Sequence, residues 1–112
     1  MSNEPQKTYL VFEIEVSDHE AYEAYRKEAR KALDEIGGGG RLLIRGGTLF
    51  PNAVTETIEG TWMPERFVVV EFPSREAAKE YYYSDTYQRV LKLRQASSTS
   101  RALMITPEPE DA

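Results

Sequence analysis

The sequence predicts a single α+β domain in which a four-stranded antiparallel sheet carries two helices on one face. Three observations lead to this fold class. A length of 112 residues suits one domain. Apolar residues alternate in some segments and recur at helical spacing in others. These strand-like and helix-like segments follow one another in the order β-α-β-β-α-β, which is the split form of the βαβ unit.

Composition excludes several classes of protein. Charged residues make up 29% of the chain, and no apolar run approaches the ~20 residues of a membrane helix, so we expect no membrane partner. A net charge of -5 argues against nucleic acid, whose phosphates require a basic surface. The absence of cysteine excludes disulfides and suits a cytoplasmic location. With His19 as the lone histidine and no nucleotide-binding glycine pattern, we expect neither metal nor cofactor.

The first strand and the first helix have the clearest patterns. Apolar side chains alternate with polar ones over Tyr9–Val16, which is typical of a strand buried on one face. Ser17 and Glu20 have the spacing of a capping box and predict the start of a helix there. Apolar residues at helical spacing continue to Ile36, and the glycine run 37–40 ends the helix.

The next segments predict two strands joined by a long connection. Arg41–Arg45 is the second strand, and Val54–Gly60 is a short extension after a turn. Arg66–Phe72 contains three consecutive valines, which favours a central strand covered on both faces.

The second helix and the last strand complete the domain. Ser74 is the predicted cap of the second helix, which is interrupted near Ser84 and Asp85 before it resumes. Arg101–Thr106 is the last strand, so the domain spans residues 8–106 and its topology is ferredoxin-like. The polar, proline-containing ends, 1–7 and 107–112, are expected to be flexible tails.

The second face of this sheet needs a cover. Tyr9, Val11 and one side of the valine strand would otherwise meet water. A second copy of the chain, packed sheet to sheet, provides that cover, so we expect a homodimer.

Several short motifs occur in an order that resembles a known family. They are Arg45-Gly46-Gly47, Glu59-Gly60-x-Trp62-x-Pro64-Glu65-Arg66, Glu71-Phe72-Pro73-Ser74, Glu76-Ala77-Ala78 and Ser84-x-x-Tyr87 followed by Arg94. Together they resemble the domain-of-unknown-function family DUF1330, small proteins of the dimeric α+β barrel superfamily. The resemblance covers Thr8 to Pro107 and implies the fold, a dimer and a pocket between helices and sheet. It implies no reaction. Tyr81 stands where the family often has tryptophan, and 48–57 is longer than the usual hairpin.

The residues themselves indicate a site for a small acidic or enolisable organic molecule. Arg45 at the end of strand two and Arg94 late in helix two can hold a carboxylate or enolate. Glu71 is the candidate general base, because apolar neighbours raise the pKa of a carboxyl group, and with Arg45 it forms the candidate catalytic pair. Hydroxyl groups would complete the ligand site: Tyr22, Tyr25, Tyr81, Ser84 and Tyr87.

The same residues also fit a non-catalytic dimeric binding or structural module. Arg45 and Glu71 would then be ion-pair or hydrogen-bond partners that tie the sheet together. Arg94 would complement a helix C-terminus, and the tyrosines would serve as core and rim packing. The sequence leaves both function classes open.

Overall fold

A computed structural model describes residues 6–109 of the chain. Its elements are the strands β1 (Thr8–Val16), β2 (Arg41–Gly46), β3 (Arg66–Phe72) and β4 (Ser98–Ile105), and the helices α1 (His19–Ile36), α2 (Arg75–Tyr82) and α3 (Asp85–Ser97). The order confirms the predicted βαββαβ fold, with the second helix divided into α2 and α3. Most of the two predicted tails, at 1–5 and 110–112, lies outside the described residues.

The sheet is antiparallel, with strand order β2-β3-β1-β4. Alternate residues of β1, namely Leu10, Phe12 and Ile14, point toward the helices and are buried. Val70 and Phe72 of β3 join them through the pairs Leu10–Val70 and Thr8–Phe72. Because side chains in a strand alternate between faces, the period-two pattern in the sequence identified this core correctly.

Of the two predicted helix caps, Ser74 is confirmed and Ser17 is wrong. The Ser74 hydroxyl accepts from the amide of Ala77 at 3.1 Å, and the α3 N-cap Ser84 accepts from the amide of Tyr87 at 3.0 Å. The predicted Ser17 cap is wrong, since the α1 N-cap is Asp18, whose Oδ1 accepts from the amide of Ala21 at 3.0 Å. The backbone amide of Ser17 donates instead to the carbonyl of Ser97 at 2.9 Å, so the helix begins one residue later.

Strand β2 contains a β-bulge between Leu42 and Ile44. Leu42 pairs with Val70 on the helix-facing side, whereas Ile44 pairs with Val69 on the opposite side. The extra residue, Leu43, shifts the alternation, because a bulge sets two residues of one strand against one residue of its partner. Arg45 lies three positions after Leu42 and therefore faces the helices as Leu42 does, whereas in a strand without a bulge it would face the opposite side.

The predicted extension at Val54–Gly60 forms no strand. Val54 is 99% exposed and Ile58 is 84% exposed, so these apolar side chains bury no area against the described domain. The connection is closed at its base, where Thr48 and Leu49 donate to the carbonyls of Pro64 and Glu65 at 3.0 and 2.9 Å.

The sheet face opposite the helices carries exposed apolar side chains beside the ion pairs Arg41–Glu71 and Arg101–Glu13. Leu103 is 63% exposed, and Ile44 and Ile105 are also exposed. Trp62 lies on this face, where its indole N–H donates to Glu13 and its ring meets Phe67 edge-on at a centroid distance of 6.0 Å. Within residues 6–109, no helix is long and apolar enough to cross a membrane.

Candidate functional site

A cavity of about 140 Å³ lies between helix α1 and the inner face of the sheet. Most of its lining is apolar or aromatic: Phe12, Ile14, Tyr22, Tyr25, Ala29, Leu33, Leu42, Phe50, Val68, Val70, Tyr81 and Tyr87. Its remaining lining residues are four arginines: Arg26, Arg30, Arg45 and Arg66. None of the residues that line it is acidic, although the whole chain carries a net charge of -5.

Arg66 is held between two aromatic rings at this cavity. Its Cζ lies 4.2 Å from the ring centroid of Phe50 and 5.1 Å from that of Tyr22. Its Nε is buried and has no hydrogen-bond partner among the described residues. Within residues 6–109 no carboxylate forms an ion pair with Arg66. Since buried polar groups are normally satisfied, the open donor of Arg66 distinguishes it from a purely structural arginine.

The other three arginines stand at the exposed edge of the cavity. Arg26 forms an ion pair with Glu23 at 2.5 Å, and Arg30 forms one with Asp34 at 3.5 Å. Arg45 forms no ion pair within the described residues. Arg45 and Arg66 are therefore the two uncompensated positive charges that line the cavity.

A buried hydrogen-bond chain forms the inner wall of the cavity. Arg94, only 4% exposed, donates from Nη1 to the hydroxyl of Tyr87 at 2.9 Å and from Nε to Ser100 at 3.1 Å. The hydroxyls of Tyr87 and Tyr25 share a hydrogen bond of 2.9 Å. The Arg94 guanidinium also lies 5.0 Å from the ring centroid of Phe12. These contacts satisfy Arg94 with neutral groups rather than with a carboxylate.

Tyr22, Tyr81 and Tyr87 stay neutral at ordinary pH, because the pKa of each is raised. Burial raises the pKa of Tyr22 to about 12, against a partly offsetting effect of the Arg66 charge. Burial also raises the pKa values of Tyr81 and Tyr87, and the neighbouring Tyr25 adds to both effects. Burial opposes the charge of Arg94, but the phenol oxygens of Tyr87 and Tyr25 favour it, and its pKa is raised. The wall thus presents phenol hydroxyls and guanidinium groups rather than phenolates.

The structure brings together five of the predicted site residues. Arg45, Tyr22, Tyr25, Tyr81 and Tyr87 all line the cavity. They come from β2, α1, α2 and α3, which are separated in sequence and meet only through the sheet topology.

Three predicted site residues lie elsewhere. Arg94 does not line the cavity and contacts it through Tyr87 and Tyr25. Ser84 serves as the N-cap of α3, and its hydroxyl donates to the carbonyl of Tyr81 at 2.7 Å. Glu71 occupies the opposite face of the sheet, across from Tyr9, so it does not meet Arg45.

The expectation of a raised pKa for Glu71 is wrong. Arg41 donates from Nε to Glu71 at 3.0 Å, Lys7 lies 3.7 Å away, and the Tyr9 hydroxyl donates at 3.3 Å. The Arg41 hydrogen bond, assisted by the positive charges, outweighs desolvation and holds the pKa of Glu71 below 4.5. The sequence showed the neighbouring valines but not the cations that the sheet register brings across from other segments.

Sequence reasoning also missed Arg66 and Phe50 as site residues. Arg66 has the same parity as Val68 and Val70 in β3, so period-two alternation alone places it on the helix-facing side. That signal was available. Phe50 belongs to the irregular connection between β2 and β3, whose path no sequence pattern defines.

Comparison with known proteins assigns the family. The model for "Domain of unknown function (DUF1330)" matches residues 7–107. The chain belongs to the DUF1330 family. Comparison with curated proteins finds no match for this DUF1330 protein.

Solved structures share the fold of this DUF1330 protein. A protein of unknown function from Rhodopseudomonas palustris aligns with a TM-score of 0.71 at 19% identity, covering 96% of this chain and 87% of its own. A dimeric ferredoxin-like protein of unknown function from Thermobifida fusca gives 0.63 at 10% identity, with 92% of each chain covered. SnoaB, a cofactor-independent oxygenase from Streptomyces nogalater, gives 0.61 at 11% identity, covering 93% and 95%. Identities this low establish the ferredoxin-like fold alone.

Proposed function

We propose that this DUF1330 protein binds a small organic carboxylate in the cavity beneath helix α1. The observation that carries the proposal is the buried Nε of Arg66, which has no hydrogen-bond partner within residues 6–109 and lies at a cavity lined by four arginines and no acidic residue. A buried donor without an acceptor is costly, and a bound carboxylate would offset that cost. The ligand's anionic group accepts hydrogen bonds from Arg66 and Arg45.

The apolar part of the lining supports an organic rather than an inorganic anion. Phe50 and Tyr22 flank Arg66, and Val68, Val70 and Leu42 cover the sheet side of the cavity. A site of this kind buries the apolar body of a ligand and uses few polar groups to orient it. Phosphate or sulfate would use the charges and leave the apolar wall without a partner.

Isothermal titration with benzoate and its neutral isostere benzamide tests the proposal. We expect benzoate to bind and benzamide to bind at least about tenfold more weakly, because a charge-assisted hydrogen bond contributes more than a neutral one. Arg66→Gln should abolish the preference for benzoate. Arg89→Gln, which removes an exposed α3 arginine away from the cavity, serves as the matched control. Equal binding of the two ligands to wild type contradicts a carboxylate site.

A homodimer is the second part of the proposed function. Its support is the partly uncovered apolar face of the sheet, where Leu103, Ile105 and Ile44 are exposed beside Trp62. The Thermobifida fusca protein of the same fold is described as dimeric. A second copy seated on this face would bury these side chains, and apolar burial is the main driving force of association.

Native mass spectrometry of wild type and Leu103→Asp tests the association. The wild type should have twice the chain mass, and Leu103→Asp should shift the population to monomer, because a buried unpaired carboxylate is strongly unfavourable. Glu108→Gln changes the charge near the chain end and should leave the dimer intact. A monomeric wild type at micromolar concentration contradicts this part of the proposal.

The alternative function is a non-catalytic module in which the arginines and tyrosines only stabilise the domain. Arg94 gives the non-catalytic function its best support, since its hydrogen bonds to Tyr87 and Ser100 lie within the domain. The open donor of Arg66 favours ligand binding instead. Titration separates the two functions, because a structural module would show no preference between benzoate and benzamide.

A further inference from the structure

The hydrogen-bond chain at the inner wall leaves one phenol proton available to the cavity. Arg94 only donates, so the bond from its Nη1 uses the oxygen of Tyr87 as acceptor. Tyr87 and Tyr25 share a single hydrogen bond, which uses one of their two hydroxyl protons. Neither hydroxyl has another partner among the described residues, and both tyrosines line the cavity. One O–H group therefore remains free to donate to a ligand.

The charge on Arg94 favours one of the two possible arrangements. A hydroxyl whose oxygen accepts from a cation becomes a stronger donor, because hydrogen bonds in a chain polarise one another. Tyr87 accepts from Arg94 and so donates to Tyr25, which leaves the hydroxyl proton of Tyr25 for the cavity. Arg94, although it does not line the cavity, strengthens this donor through Tyr87.

This donor lies apart from the arginine that holds the carboxylate. Tyr22 adjoins both residues, with its ring centroid 5.1 Å from Cζ of Arg66 and 5.2 Å from the ring centroid of Tyr25. Because both residues border the ring of Tyr22, a ligand built on one aromatic ring has a size that suits contact with both of them.

We propose that the ligand carries a second oxygen, a phenolate or enolate about one ring away from its carboxylate, and that the Tyr25 hydroxyl donates to it. This inference rests on the proposed carboxylate site and narrows its ligand to a hydroxy-aromatic or enolisable oxo acid. A donor-only wall next to a buried guanidinium favours the negative oxygen over its protonated form.

The test measures the ionisation of a bound phenol. The probe is 3-fluoro-4-hydroxybenzoate, whose ¹⁹F resonance reports the protonation state of the phenol, with benzoate as the ligand that lacks the second oxygen. In wild type the pKa of the bound phenol should fall below that of the free ligand. Burial in an apolar cavity without a donor would move that pKa upward, so the sign of the shift is decisive.

Tyr25→Phe and Tyr81→Phe form the matched pair of variants. Both remove a hydroxyl from the cavity lining, but the hydroxyl of Tyr81 already donates to the carbonyl of Ala29 at 3.3 Å. Tyr25→Phe should raise the pKa of the bound phenol and weaken the phenolate about tenfold, while benzoate binds as before. Tyr81→Phe should leave the bound pKa where wild type has it.

The outcomes separate this inference from the proposed function. If both probes bind but the phenol pKa is unshifted or raised in wild type, the assignment of Tyr25 as donor is overturned and the carboxylate site stands. If Tyr25→Phe shifts the phenol pKa no more than Tyr81→Phe does, the assignment is overturned as well. If wild type binds neither probe, the carboxylate site fails and the inference fails with it.

Discussion

Replacement of Arg66 by methionine gives the most direct test of how the cavity is built. The substitution removes a buried Nε that has no partner in the described part of the chain, and an unsatisfied buried polar group costs about 1–3 kcal/mol. It also removes the contacts of the guanidinium with Phe50 and Tyr22, each of which contributes ~0.5–2 kcal/mol. Methionine keeps an apolar stem between the two rings and restores part of that contact.

These terms nearly cancel, so we expect the free energy of unfolding without ligand to change by less than about 1 kcal/mol. With benzoate present the two proteins should differ clearly. A ligand at 100 times its dissociation constant stabilises the protein that binds it by about 2.7 kcal/mol, and Arg66→Met should lose that stabilisation.

Urea denaturation of wild type, Arg66→Met and Arg89→Met, with and without saturating benzoate, measures both quantities. The exposed Arg89 controls for the loss of one positive charge. The reasoning is refuted if the free energy of unfolding of Arg66→Met without ligand falls by more than about 3 kcal/mol, because a loss of that size is expected for an arginine with a structural role. It is also refuted if benzoate stabilises Arg66→Met as much as it stabilises wild type.

Three further predictions concern pH and the backbone. The pKa of Glu71 is lowered in the fold, so its contribution to stability is present above pH 4.5 and is lost as pH falls through the folded pKa. Glu71→Gln should therefore flatten the dependence of the unfolding free energy on pH, measured by urea denaturation at about pH 3 to 5. Since the pKa of Tyr22 rises from 10.0 to about 12, its contribution to stability is complete below pH 10 and is lost toward pH 12. In alkaline denaturation followed by circular dichroism, the stability of Tyr22→Phe should therefore fall less steeply with pH than that of wild type. Gly47→Ala should destabilise the fold by more than about 1 kcal/mol in thermal melts, whereas Gly60→Ala should cost less. Both glycines have positive φ, but a Cβ at Gly47 would lie 2.4 Å from the carbonyl oxygen of Glu65, and a Cβ at Gly60 would meet nothing within 4 Å. An unchanged melt for Gly47→Ala would contradict this account of the turn.

Local patterns in the sequence predicted most of the fold. Alternation in β1, the valines of β3, the cap at Ser74 and the helix interruption near Ser84 are short-range signals, and the structure confirms each of them. The exception at the start of α1 arose because the Ser17 amide bonds to the carbonyl of Ser97, a contact between residues far apart in sequence. Local propensity is least reliable where such long-range contacts compete with it.

The candidate site was predictable only in part, because its geometry depends on how separate strands align. The tyrosines were identified from residue type and helical spacing, and they meet in the cavity. Glu71 was assigned from its residue type and its neighbouring valines, and sheet register places it with Arg41 on the other face. Arg66 could have been found by counting alternate residues along β3, whereas Phe50 depends on a connection without regular structure.

The bulge at Leu43 gives strand β2 a role in both the proposed carboxylate site and the proposed homodimer. Without the bulge, regular alternation after Leu42 would place Ile44 on the helix-facing side and Arg45 on the opposite side. The cavity would then gain an apolar side chain in place of a cation, and the exposed sheet face would gain a charge in place of an apolar side chain. The one extra residue in β2 thus supports the proposed ligand site and the proposed self-association together.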